Sequence, residues 1–177
     1  MGQINFNKDE FLDPVKMLKS LPLKDDAIAC DFGCGSGGWA IPLAKIIRNG
    51  MVYAIDILEE NISALKGRIA RENIFNVSAM LSDIEKGVKI GDKEIDLVLL
   101  TNILFQIEDK EALIKECRRL LKSRGLLLIV DYKKDAAFGP AQGRFSPEDI
   151  LPLLDRLGFR QESLDFGKYH WALLLSK

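Results

Sequence analysis

Histidine occurs once in 177 residues and cysteine three times, and the formal charge is only −1. Three cysteines (Cys30, Cys34 and Cys117) cannot all pair with one another, and their spacing fits no common zinc pattern. An odd count without a leader is what a reducing cytoplasm allows, and a cytoplasmic protein is expected. A nearly neutral chain lacks the field that draws a protein to nucleic acid or to an anionic membrane, so neither is an expected partner. No apolar run reaches the length of a membrane span. The opening residues, Met1-Gly2-Gln3-Ile4-Asn5, are polar and lack the charged-then-apolar order of a secretion signal. Repeats and low-complexity stretches are missing as well. With 47% apolar and 29% charged residues the composition is that of a globular domain. The length suits one domain over 1–177, with a helical segment at 1–24 and a core at 25–177, and leaves no room for a separate substrate domain. A homodimer stays open.

What the chain does have is glycine in one informative place. Asp31-Phe32-Gly33-Cys34-Gly35-Ser36-Gly37-Gly38 comes after an apolar run, Ala27-Ile28-Ala29-Cys30, and precedes a helical apolar pattern through Trp39, Ala40, Leu43, Ala44 and Ile47. Glycines between a strand and a helix let the backbone turn tightly and approach a ligand closely. A second apolar run, 51–55, delivers Asp56 at its carboxyl end, where an acid in an open α/β sheet accepts bonds from ribose hydroxyls. A nucleoside-containing cofactor is therefore expected. Gly33, Gly35 and Gly38 satisfy the G-x-G-x-x-G of nicotinamide and flavin enzymes, while Gly33, Gly35 and Gly37 satisfy the G-x-G-x-G of S-adenosylmethionine enzymes. Asp31 separates the two. A carboxylate two residues before the first glycine opposes a pyrophosphate but attracts the ammonium and sulfonium of S-adenosylmethionine. Cys34 is read as a small residue fitting a tight loop rather than as a nucleophile.

From these residues on, the chain resembles the class I S-adenosylmethionine-dependent methyltransferases, in particular the small-molecule type that includes the ubiquinone and menaquinone methyltransferases. The resemblance runs from Ala27 to the end. It rests on the glycine loop with Asp31, on Tyr53-Ala54-Ile55-Asp56, Leu81-Ser82-Asp83 and Ile95 to Asn102, and on the run from Leu121 to Val130. It implies a Rossmann-like α/β fold, a seven-stranded mostly parallel sheet with one antiparallel strand and helices on both faces. The implied activity is methyl transfer from S-adenosylmethionine to a small-molecule acceptor. Two other readings remain open: a non-catalytic cofactor-binding or accessory protein, and a nicotinamide oxidoreductase, which lacks its second nucleotide-binding half here.

Periodicity predicts a helix over 11–21, strands at 27–32, 51–56, 76–81, 95–100 and 126–131, and helices at 38–47, 59–72 and 109–121. The cations Arg118, Arg119, Lys122 and Arg124 suit a helix C-terminus better than a nucleic-acid patch. Ser146-Pro147-Glu148-Asp149 is a helix start, with Pro152 expected to kink that helix and Gly158 to end it. Strands at 159–165 and 171–175 flank a turn at 167–169 and close the sheet as a hairpin.

Ligands bind beyond the carboxyl ends of such strands, and this rule sorts the candidates. Gly33, Gly35 and Gly37 are expected to hold the methionine part of the cofactor near Asp31, which alternatively braces the glycine turn. Asp56 is expected on the ribose. The resemblance puts Ile57 against adenine, Asp83 on the adenine amine with Ile84 beside it, and Asn102 near the reactive methyl. Asp83 also reads as a simple helix-starting acid. Phe105-Gln106 occupy a position where related sequences often carry a histidine. Tyr132 and His170 are the candidate catalytic residues, with a structural hairpin role for His170 as the alternative. Arg144 and Tyr169 are candidate substrate contacts, Arg144 either gripping an anion or standing in solvent. No metal site is expected.

Overall fold

Residues 12–177 are described by the computed structural model; the expectations for the opening residues and for Phe11 lie outside them. The strands are β1 (Ile28–Phe32), β2 (Met51–Asp56), β3 (Val77–Leu81), β4 (Ile95–Thr101), β5 (Leu121–Tyr132), β6 (Arg160–Phe166) and β7 (His170–Ser176). They form one sheet in the order β3-β2-β1-β4-β5-β7-β6. β7 runs antiparallel to both its neighbours and the other pairs are parallel, as a closing hairpin requires. The fold is Rossmann-like, as expected.

Alternation along each strand divides the core in two. Ala29, Leu97, Leu99, Leu128 and Val130 face helices α1 (Pro14–Ser20), α2 (Ala40–Ile46) and α3 (Glu59–Arg71). Cys30, Phe32, Val98, Leu100 and Ile129 face α4 (Lys110–Leu120) and α5 (Pro147–Arg156). β4 is buried at six of its seven positions, because helices cover both faces of a parallel sheet.

Local chemistry sets the ends of the helices. The Asp13 carboxylate accepts from the N–H groups of Val15 and Lys16 at 2.9 and 3.2 Å, which starts α1 three residues later than the apolar pattern alone predicts. Ser146 and Asp149 close the expected capping box on α5. That helix runs unbroken from Pro147 through Pro152 to Arg156.

β5 differs most from expectation. It begins at Leu121, directly after α4, rather than at Leu126. Leu121 pairs with Ile95, the register then slips before Leu97 meets Leu126, and Arg124 takes a φ of +67° in the irregular stretch. The polar segment 122–125, whose cations read as the exit of a helix, is thus an early, bulged part of the strand.

Trp171 on β7 is buried and donates its indole N–H to the Phe145 carbonyl at 3.1 Å, anchoring the end of the long connection after β5. Trp171→Ala should lower stability by about 3–5 kcal/mol in urea unfolding, through lost volume and a lost bond. A cost below about 1 kcal/mol would show that the anchor contributes little.

Candidate functional site

The strand order reverses direction between β1 and β4, and such a switch point opens a crevice at the carboxyl ends. A cleft of about 500 Å³ lies there, with Gly33, Gly35, Asp56, Ile57, Asp83 and Ile84 in its walls. Ser82, Ile103 and Gln106 line it too, as do Asn61 and Ile107, which sequence reasoning had not singled out.

Three glycine positions of the loop take positive φ: Gly33 at +70°, Gly35 at +52° and Gly37 at +89°. Gly38 does not belong to this set. A Cβ at Gly38 would meet nothing within 4 Å, so neither a turn nor close helix packing requires glycine there, whereas all three positions of the G-x-G-x-G spacing use positive φ. A side chain at Gly33 would begin 1.9 Å from the Ile103 Cδ1, whereas a Cβ at Gly35 would meet nothing within 4 Å. The first glycine lets the loop close on its neighbour, and the second leaves open space in the cleft.

Asp56 fixes this loop from beneath. One carboxylate oxygen accepts the Gly35 N–H at 2.8 Å; the other accepts the Leu58 N–H at 3.0 Å and the Asn61 amide at 3.1 Å. The acid at the end of β2 ties the glycine loop to the start of α3.

Asp31 lies in a different situation. It is fully buried at the end of β1, and neither carboxylate oxygen has a hydrogen-bond partner. Burial pushes its carboxyl up to about 7; the Ala40 N–H, nearby but not hydrogen-bonded, opposes the rise, and Asp56 adds to it. A buried carboxylate without a partner is costly when ionised, and a cation beside it would remove that cost.

Asp83 sits at the far wall of the cleft. It caps the 3₁₀ turn Ile84–Lys86 through the Glu85 N–H and pairs with Lys86 at 3.0 Å, an ion pair that holds its carboxyl below the usual range. The helix-starting reading of this acid therefore describes what its side chain does among the described residues. Ile57 is 62% exposed on the same wall. Asn102 comes after β4 with a φ of +54°. Its side-chain oxygen is buried without a partner, and its N–H donates to Val130 at 2.7 Å.

Tyr132 ends β5 and stacks on His170, which opens β7, with ring centres 4.5 Å apart. Phe105 meets Tyr132 edge-on at 6.4 Å, and Phe138 meets Tyr169 at 5.2 Å. Burial depresses the His170 imidazole to about 4, so the ring is neutral at pH 7, and its Nε2 has no partner. A base with so low a pKa is poorly matched to removing a proton near neutrality.

Arg144 makes its contacts within the chain. Its guanidinium donates to the carbonyls of Lys134, Ala136, Phe138 and Pro140, at distances from 2.5 to 3.4 Å. The half-buried side chain holds together the connection between β5 and α5. Asp131, next to last in β5, organises the opposite wall. It is buried, accepts from Leu104 at 3.2 Å and from Tyr132 at 2.7 Å, and burial raises its carboxyl to about 6. Through Leu104 it holds the 3₁₀ turn Leu104–Gln106, which carries both Phe105 and the cleft residue Gln106. A buried polar residue at the end of an apolar strand was the signal that could have found it. Among the described residues no group of three or more His, Cys, Asp or Glu is placed to hold a metal, and no helix is long and apolar enough to cross a membrane.

A Rossmann-like sheet with a glycine loop and a nucleoside-sized cleft defines a class of cofactor-binding α/β proteins. The family model for a methyltransferase domain matches residues 23–150, and the chain belongs to that family. It is 24% identical over 158 residues to a demethylmenaquinone methyltransferase of Bacillus subtilis (88% of this chain, 66% of that protein). With a ubiquinone/menaquinone biosynthesis C-methyltransferase of Neisseria meningitidis it shares 30% identity over 132 residues (73% and 51%). The chain thus spans about half to two thirds of the length of these curated relatives. A crystal structure of a SAM dependent methyltransferase from Aquifex aeolicus superposes with a TM-score of 0.85 at 26% identity, covering 93% of this chain and 89% of that one.

The folded pKa of Asp31 lies above that of an unfolded aspartate. The stability tied to its neutral form is complete below pH 4 and is lost as pH rises through 7. Asp31→Asn cannot ionise and escapes this loss, while Asp131 and His170 titrate in both proteins. In urea unfolding without ligand, the advantage of Asp31→Asn over the parent should grow by about 2–3 kcal/mol between pH 5 and pH 8. The same difference at both pH values would show that Asp31 is not strained by burial.

Proposed function

We propose that this chain transfers the methyl group of S-adenosylmethionine to a small-molecule acceptor. The observation that carries the reading is Asp31, a buried carboxylate without a partner beside a glycine loop that leaves its second glycine open. The cofactor's ammonium fits that carboxylate, and a nicotinamide dinucleotide's pyrophosphate would be repelled by it. The spacing of the positive-φ glycines points the same way. Relatives that are named methyltransferases support the activity, and those named for quinone biosynthesis support a small-molecule acceptor. Three free cysteines, all buried, are in keeping with a reducing cytoplasm.

When bound, S-adenosylmethionine supplies an electrophilic methyl on a positively charged sulfur that is already a good leaving group. The protein's part is to align a nucleophile behind that methyl and exclude water. Asp31 and the glycine loop hold the methionine end, and Asp56 stands at the ribose. Ile57, Ile84 and Asp83 border the adenine. Asn102 lies between cofactor and acceptor, with its free oxygen available to either. Tyr132, His170 and Tyr169 bound the acceptor side as an aromatic wall. His170, neutral at pH 7, shapes that wall and offers a hydrogen bond; an acceptor that must lose a proton needs a stronger base than this ring.

S-adenosylhomocysteine at a hundred times its Kd should stabilise the protein by about 2.7 kcal/mol, seen as a rise in Tm, and NADH should not. Equal stabilisation by NADH, or none by the adenosyl ligand, would contradict the reading. Binding should also carry a proton signature. Below pH 7 the Asp31 carboxyl must release its proton to pair with an ammonium, so affinity should weaken by up to about tenfold per unit as pH falls from 7 to 5. Asp31→Asn should weaken binding and flatten this dependence. His170→Ala and Tyr132→Phe should leave S-adenosylhomocysteine affinity within about twofold, because both lie on the acceptor side; a loss of about tenfold or more in calorimetry would move them to the cofactor.

A further inference from the structure

Among the described residues the sheet ends in β3 on one side and β6 on the other, and the chain treats these edges differently. β6 carries Arg160, Glu162 and Asp165, and its register with β7 slips between Gln161 and Ser163. Charges and a bulge are common means of keeping an edge strand from pairing with another chain. β3 has neither. From Asn73 to Ser82 there is no charged residue, proline or glycine, and the register with β2 is unbroken. Phe75, just before the strand, is 90% exposed, and Leu81, its last residue, 55%.

This edge is complementary to itself. The Asn76 carbonyl accepts the Val52 N–H, and the Ser82 N–H donates to the Asp56 carbonyl. Even-numbered residues therefore turn their backbone groups toward β2, while Val77, Ala79 and Leu81 turn theirs outward. A two-fold axis would join two such edges antiparallel, and outward groups meet only when odd residues face odd residues. With the axis at Val77, Leu81 would face Asn73; with it at Ala79, Phe75 would face Asp83. With the axis at Ser78, Val77 faces Ala79 and Phe75 faces Leu81, so the two exposed apolar side chains cover each other.

Helix α3 fits the same pairing. It packs on β2 and β3. With strands about 4.8 Å apart, the α3 helices of two paired copies would run antiparallel about 10 Å apart, a helix-contact distance. One flank of α3 is engaged with the glycine loop and α2, where Arg68 donates to the Ser36 carbonyl and Glu72 pairs with Lys45. The opposite flank carries Ser63 and Ala70, both small and exposed. Beside them is Gly67, where a Cβ would meet nothing within 4 Å. A glycine inside a helix costs stability, and a second helix passing closely gives it a use. The charges agree. Glu59 and Glu60 begin α3, Lys66 and Arg71 lie in its second half, and among the described residues none of the four is in an ion pair. Antiparallel pairing turns the acidic start of one helix toward the basic end of the other.

We propose that the β3 edge is a homodimer interface: a second copy of this chain pairs with it antiparallel about a two-fold axis at Ser78, and one sheet runs through both subunits. The proposal does not depend on the methyl-transfer reading.

The test is sedimentation equilibrium of the full chain, of Phe75→Lys and of Leu81→Lys, together with cross-linking of Ser78→Cys. The parent should have twice the mass of one chain. Both lysines replace exposed side chains, so the variants keep the fold, which circular dichroism checks. Each should weaken self-association by about tenfold or more, the range of one lost apolar contact. Across the axis the two residues at position 78 form a non-hydrogen-bonded pair with Cα atoms about 4.5 Å apart, within disulfide reach. Ser78→Cys should therefore give a covalent dimer on mild oxidation, while Gln161→Cys on the other edge should not; the native cysteines are all buried. A parent that stays monomeric at high micromolar concentration overturns the proposal, whatever else binds this edge. A dimer that persists in both lysine variants lies on another surface and overturns it too. Dissociation by the lysines without the link at Ser78→Cys would overturn the axis at Ser78.

Discussion

The site depends on a carboxylate that the protein buries and does not satisfy. Asp31 ends β1 on the face covered by α2, with apolar residues above and below it in the strand, and both its oxygens are unpartnered. Left to itself, such a group takes up a proton to avoid the desolvation cost, which is why its carboxyl is pushed to about 7. Nearby Asp56 shows the ordinary solution, with its charge spread over three N–H donors. The contrast between the two acids, at the ends of adjacent strands, separates roles. Asp56 is held by the protein and holds the protein; Asp31 has no hydrogen-bond partner among the described residues, and in the proposed reading a cation from outside completes it. Strain kept at one position and removed by a ligand is a common way for a site to acquire affinity.

From that acid the remaining geometry extends along the carboxyl edge. The glycine loop leaves β1, turns through three positive-φ residues and is clasped by Asp56 from β2. Across the switch point, Ile103 closes against Gly33, so the turn after β4 and the glycine loop form one continuous wall. Asp131, near the end of β5, fixes that turn by its bond to Leu104 and reaches the aromatic wall through its neighbour Tyr132. Cofactor cleft and aromatic wall thus share a short segment, Ile103 to Ile107. Movement of that segment would be felt on both sides. The connection after β5 is stapled from within by Arg144, so the cover over the aromatic side is ordered by backbone carbonyls rather than by a substrate.

The framework was legible because its signals are periodic or local. Apolar runs at 51–55 and 95–100 read as buried strands, Ser146 with Asp149 is a reciprocal cap, and Gly33, Gly35 and Gly37 mark a turn where the backbone takes positive φ. The nearness of Tyr132 and His170 was implied by topology, since a closing hairpin brings the start of β7 beside the end of β5. What the sequence concealed was the destination of side chains. Arg144 reads like any loop arginine until the carbonyls it gathers are seen, and Asp131 looks like a residue leaving a strand. Asn61 carries no pattern at all: its place beside Asp56 depends on where α3 begins. The early start of β5 was hidden because a bulge lets polar residues, Lys122 to Arg124, continue a strand that their composition argues against.

The most direct measurement is a crystal structure of this protein with S-adenosylhomocysteine. The ligand's amino group should lie within hydrogen-bond distance of the Asp31 carboxylate or be joined to it by one water, with the ribose over Asp56 and the adenine between Ile57 and Ile84. An amino group bound elsewhere, with Asp31 still unpartnered beneath the occupied cleft, would contradict the claim that this buried charge selects the cofactor.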